Sequence, residues 1–131
     1  IMLQLLAELL AAREDFAIET TLSTRSYKKL VVRAHELGYK VFLVFFYLDS
    51  PEQAKLRVAQ RVKDGGHNVK SNVIERRYLL GLKNLVKLYM PLCDNVAIYN
   101  NTNAPATLIA RRNGSFAIED VVVWNKILGL V

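Results

Sequence analysis

Cysteine is almost absent: Cys93 stands alone in 131 residues, so no intrachain disulfide can form and a reducing cytoplasm is the expected setting. Metal-ligand spacing is missing too. Cys93, His35 and His67 have no neighbours at the intervals a zinc site needs, so no metal is assigned to the chain's own residues. The apolar opening IMLQLLAELLAA is too short for a bilayer and has no basic flank, which argues against a membrane span or a signal peptide there. It reads as a helix entered partway along, in a chain that begins at Ile1 rather than at an initiator Met, as a shortened product would. Internal repeats and low-complexity linkers are lacking, and 131 residues fit one domain able to bury a substantial core.

Acids are scarce in one region only. Residues 55–87 carry nine Lys or Arg against Asp64 and Glu75, a local charge of +7 within a total of +6. Aromatics are equally sparse there, with only Tyr78 inside the stretch and Tyr89 just beyond it. A nucleic-acid surface usually interleaves aromatics with a broader basic stripe, so a localised anion site is the better expectation. Nucleic-acid binding through this segment would show affinity that falls steeply with salt.

The rest alternates between strand and helix signals. Residues 1–14 read as a helix, and FAIETT (16–21) as a buried strand whose end meets solvent. Ser23 or Thr24 can cap a helix to Leu37, with Gly38 placed as its C′ residue. KVFLVFFYL (40–48) is nearly continuous apolar, which predicts a parallel strand covered on both faces. Ser50, Pro51 and Gln53 form a helix-start signature, leading to about Lys63. Asn72 with Glu75 marks a second helix start, and Ile74, Tyr78, Leu82, Leu85, Val86 and Tyr89 give that helix an apolar face until Pro91. NVAIYNN (95–101) is a further strand. TLIARRNGSFAIED predicts a hairpin turning at Asn113–Gly114 in a type I′ turn, and Asp120 caps a last helix. This order predicts a three-layer α/β architecture with a mainly parallel sheet.

Ligands gather at the carboxyl ends of such strands. The candidates there are Glu19–Thr20–Thr21, Asp49 and Asn100–Asn101. Asp49 also reads as a simple lead into a capped helix. An acid followed by two hydroxyls can grip a polyhydroxyl substrate or a metal-bound water. Arg57 and Arg61 are four apart on one helical face, and Arg76 and Arg77 are expected in the first turn of the next helix. With Gly65–Gly66 as a flexible joint, the segment 57–78 reads as a lid closing on phosphate oxygens, for which the planar, permanently charged guanidinium is suited. The alternative is a solvated basic hairpin. His67 can touch a phosphate or help hold the joint.

These residues resemble the zeta toxin-like P-loop kinases, particularly the bacterial branch described as predicted ABC-type ATPases. The similarity lies in ETTLS, LDSPE, the R-x-x-x-R of 57–61, GGHNV and RRY, from about Ala7 to Asn101 and beyond. It implies an adenylate-kinase-like, P-loop NTPase-type sheet and an ATP- and Mg²⁺-dependent kinase acting on a small-molecule hydroxyl, such as that of UDP-N-acetylglucosamine. Glu19 matches the acidic residue of the acceptor side, with Thr20 and Thr21 beside it. Arg61 and one of Arg76 or Arg77 match lid arginines on ATP phosphates, and Asn100 and Asn101 fall near the nucleotide. Arg57 and His67 are assigned to the nucleotide side with them. An antitoxin protein is an expected partner of the toxin branch.

One family element is missing. No glycine here is followed by Lys, so the G-x-x-x-x-G-K-[ST] loop with its phosphate cradle is absent, and the family's general-base Asp lies before the opening helix. The chain is therefore expected to be a single incomplete kinase-like domain over 1–131, with the lid at about 57–78 and a C-terminal hairpin and helix at about 105–131. Its sheet would have a gap between FAIETT and KVFLVFF. Two functions compete: the C-terminal part of an active kinase, or an inactive remnant that binds anions or nucleotides, or associates with itself through the gap.

Overall fold

A computed structural model describes residues 2–131; Ile1, the first residue of the expected opening helix, lies outside the described residues. The helices are α1 (Met2–Ala11), α2 (Tyr27–Glu36), α3 (Pro51–Lys63), α4 (Ser71–Asn84), α5 (Met90–Leu92) and α6 (Val121–Leu130), with a π-helical turn, Leu85–Tyr89, between α4 and α5. The strands are β1 (Phe42–Tyr47), β2 (Asn95–Asn100), β3 (Thr107–Asn113) and β4 (Ser115–Ile118). They form one sheet in the order β1-β2-β3-β4.

The fold is the expected α/β, P-loop-like kind with part of its core lacking. Its sheet is mixed rather than mainly parallel: β1 and β2 are parallel, while β2–β3 and β3–β4 are antiparallel. FAIETT forms no strand, and the outer edge of β1 carries no partner among the described residues. Without a ladder to join, three apolar residues cannot satisfy an extended backbone, and the segment runs as an irregular loop.

One face of the sheet is covered. Leu82, Leu85, Tyr89, Trp124 and Ile127 from the helices pack with Tyr47, Val96, Ile98, Ile109 and Ala110 from the strands. On the other face Phe42, Val44 and Phe46 are 66%, 52% and 56% exposed, so β1 alternates where continuous burial was expected. The apolar run is there, but the layer that would cover its second side is not among the described residues. Two packed layers stand in place of three.

Local signals set most boundaries. Ser50 Oγ accepts from the Gln53 amide at 3.3 Å and Asp120 Oδ1 from the Val123 amide at 3.1 Å, as expected of both caps. Gly38 (φ 84°) closes α2 as its C′ residue. Four expectations shift. α1 stops at Ala11 because Arg13 turns left-handed (φ 61°) and closes a Schellman pair. α2 begins after Ser26, not after Ser23 or Thr24; Thr24 Oγ1 instead accepts from the Ser26 amide at 3.2 Å. α4 begins after Lys70, which has no side-chain cap, and Glu75 pairs with Lys55 on α3 rather than serving Asn72. In the hairpin only Gly114 takes positive φ, so the two-position type I′ turn at Asn113–Gly114 is not formed. Among the described residues no helix is long and apolar enough to cross a membrane.

At the opposite end of the sheet from the candidate residues, Asp94 ties three elements together. Its Oδ2 accepts from the Val41 amide at 2.6 Å and pairs with His35 Nε2 at 2.9 Å. These bonds, the Val41 amide first and His35 second, hold its carboxyl below the usual carboxylate range.

Candidate functional site

The parallel pair β1–β2 ends in two loops that hold each other. The Asn101 amide donates to Tyr47 O at 2.8 Å, and the Asp49 amide to Thr102 Oγ1 at 3.0 Å. Asn100 Oδ1 accepts from the Thr102 amide at 3.1 Å, so its side chain shapes its own turn. Three helices then fasten these loops from outside. Tyr78 of α4 donates to Leu48 O at 2.6 Å, and Lys126 of α6 to Asp49 O at 3.1 Å. Burial, reinforced by Tyr47, pushes the Tyr78 phenol above its usual range, so it stays a donor.

Arg57 of α3 reaches the same place. Its guanidinium donates to Asn101 O at 2.6 Å and Thr102 O at 3.3 Å. The structure thus brings Arg57, Asn100 and Asn101 together, with Arg57 already engaged by carbonyls.

The other three guanidiniums differ. Arg61 lies in the last turn of α3, and Arg76 and Arg77 in the second turn of α4, not the first. They and His67 are exposed and make no hydrogen bond or ion pair among the described residues, so the structure does not join them to either strand-end loop. What it does fix is the turn between α3 and α4. Gly65 (φ 96°) donates to Val62 O at 3.1 Å and Gly66 to Arg61 O at 2.6 Å, a Schellman stop. A Cβ on Gly66 would lie 2.9 Å from Arg61 O. The glycine pair is therefore a hydrogen-bonded cap with its own geometry, where a flexible joint was expected.

Glu19, Thr20 and Thr21 form a loop against α4 in place of a strand end. Glu19 is exposed. Thr20 Oγ1 accepts from the Leu22 amide at 3.2 Å, and the Thr21 and Ser23 hydroxyls are 2.8 Å apart. Leu22 is buried in the core yet left-handed (φ 60°). Asn84 Nδ2 donates to Leu22 O at 2.7 Å and Tyr89 Oη to Thr24 O at 2.6 Å. Burial pushes the Tyr89 phenol upward, which keeps its proton on. Opposite Thr21 O stands Gly81, where a Cβ would lie 2.5 Å away.

Sequence reasoning missed Gly81, Asn84 and the role of Tyr89. The signal was present: Gly81, Asn84, Leu85 and Leu88 follow i, i+3, i+4, i+7 spacing, so a glycine and an amide sit on the apolar face of one helix. A buried amide needs a partner, and only a segment distant in sequence can supply it.

α4 is the common support. Tyr78 holds the β1 loop, while Gly81 and Asn84 further along α4, with Tyr89 in the π-helical turn that continues it, hold the 19–24 loop. Hydroxyls, amide groups and the two carboxylates, Glu19 and Asp49, on these loops suit a polyhydroxyl ligand. Among the described residues no three His, Cys, Asp or Glu are grouped to hold a metal ion. The phosphate loop has no counterpart in the sequence.

The family described as Zeta toxin matches residues 1–116, reaching from α1 into β4 and leaving α6 beyond it. No curated protein and no solved structure matches the chain.

Proposed function

The chain belongs to the zeta toxin family, whose kinase-like P-loop domain its α/β fold fits, and we propose from this that it forms the acceptor and lid portion of an ATP-dependent kinase for a small-molecule hydroxyl. The observation that carries the proposal is the shared support on α4: one helix fixes the Glu19–Thr21 loop and the ends of the parallel strand pair, from which the basic α3–α4 hairpin extends. Glu19 accepts hydrogen bonds from the acceptor's hydroxyls, and Thr20 and Thr21 complete the contact. The uncommitted arginines Arg61, Arg76 and Arg77 neutralise phosphate charge. Arg57 keeps the Asn100–Asn101 loop in place at the nucleotide side. A nucleotide sugar such as UDP-N-acetylglucosamine supplies both features, a polyhydroxyl ring and anionic oxygens. ATP is the phosphoryl donor. Its phosphate cradle and Mg²⁺ ligands come from outside these residues, so no step is assigned here to a metal.

A second function, an anion-binding remnant without turnover, draws support from the absent Gly-Lys loop and the uncovered face of β1. ATP consumption across a panel of nucleotide sugars separates the two, using the chain as it stands and the longest product its gene encodes. Turnover confined to a product containing G-x-x-x-x-G-K-[ST], and cut about 10²-fold by Arg61→Ala, supports the kinase. An encoded product without that loop, inert toward every sugar nucleotide, gives the remnant.

A further inference from the structure

The backbone at Leu22 is in an unfavourable conformation for a bulky residue. Left-handed φ in a non-glycine residue persists only where the surroundings impose it, and here the side chain is also 95% buried, with 5% exposure. The imposing groups come from α4 and the π-helical turn after it. Asn84, itself only 5% exposed, and Tyr89 donate to the carbonyls of Leu22 and Thr24, the two ends of a three-residue arc. Gly81 leaves room for the carbonyl of Thr21 just before it. The loop's own bonds, Thr20 to the Leu22 amide and Thr21 to Ser23, run only two residues along the chain and cannot set its position on the domain.

We propose that Asn84 and Tyr89 are positioning residues: by clamping the Leu22 and Thr24 carbonyls they fix where Glu19, Thr20 and Thr21 stand for the acceptor. This rests on the acceptor assignment of that loop. Neither residue needs to touch the ligand. The clamp removes alternative loop conformations before binding, and affinity falls in proportion to the fraction of molecules whose loop is competent. The two donors act from one side, so each limits what the loss of the other can release.

The test uses the chain with Tyr89→Phe and Asn84→Ala, and UDP-N-acetylglucosamine as the probe. Three quantities are read: thermal midpoint, amide exchange at residues 20–24, and the calorimetric Kd. Tyr89→Phe keeps its buried ring, so its midpoint should stay close to that of the unsubstituted protein. Exchange at the Leu22 and Ser23 amides should quicken while the sheet stays protected, and Kd should rise about 10-fold. Asn84→Ala should move exchange and Kd the same way and further. Unchanged exchange in both variants overturns the clamp. Faster exchange with an unchanged Kd overturns its bearing on the acceptor. Failure of the unsubstituted protein to bind the probe overturns the acceptor assignment, and the positioning role with it.

Discussion

Replacing Gly81 by Ala should destabilise the protein, although glycine-to-alanine changes inside helices normally do the reverse. In α4 alone the substitution gains about 1 kcal/mol of helix propensity. Against that stands a contact: the new Cβ would lie 2.5 Å from Thr21 O, and ordinary contact begins at 3.4 Å. The loop carbonyl or the helix must therefore retreat by about 0.9 Å. A movement of that size along the 2.7 Å Asn84–Leu22 bond takes it to about 3.6 Å, where it no longer counts as a hydrogen bond. Losing a buried bond costs about 1–3 kcal/mol, and overpacking adds about as much. After the propensity gain, about 3 kcal/mol of net destabilisation remains. Gly129 in α6 is the control, since a Cβ there meets nothing within 4 Å, and Gly129→Ala should be neutral or stabilising. Urea unfolding followed by the single tryptophan, Trp124, which is buried in the core, reads both variants. If Gly81→Ala stabilises as Gly129→Ala does, the loop is not packed against α4 as described.

The Asp94 carboxyl, held low by the Val41 amide and His35, contributes stability that is present above the unfolded carboxylate value of about 3.9 and is lost as pH falls through its depressed folded value. Acid titration of unfolding stability between about pH 5 and 3 should therefore be steeper for the unsubstituted protein than for Asp94→Asn; parallel curves would remove the coupling. Burial, with Asp94 adding to it and Arg112 opposing it, pushes the Cys93 thiol up to about 11. A disulfide reagent at about pH 8 should modify the native protein at least 10²-fold more slowly than the urea-unfolded chain, and equal rates would place Cys93 at the surface.

Signals that act over a few residues were legible in the sequence. The Ser50 and Asp120 caps, the Gly38 stop and the apolar face from Ile74 to Tyr89 each need only a neighbouring turn, and each is found. What depends on distant partners was harder to read. FAIETT has the composition of a strand, but strand identity is conferred by a ladder, and β1 offers none to it among the described residues. KVFLVFFYL promised two covered faces because it is apolar throughout; its pairing with β2 was readable, the bare side was not. At the candidate site, residue types and neighbourhoods were visible, including Arg57 beside Asn101 as fellow candidates. The supports were hidden, because Asn84 and Leu22 are 62 positions apart and meet only once α4 is packed.

The π-helical turn explains how one helix can hold the 19–24 loop at two points. In regular α-helical winding, positions five apart differ by about 140° in azimuth and look in different directions. Asn84 and Tyr89 are five apart. Between them the helix is under-wound: the Met90 amide closes onto Leu85 O, a five-residue step. That wider step narrows the divergence between the two anchors, so both face the same stretch of chain. Ordinary winding through the same five residues would put the pair out of phase, whereas with one residue fewer the anchors would stand four apart and share a face without the wider turn; the under-wound turn is thus what lets this stretch carry its extra residue.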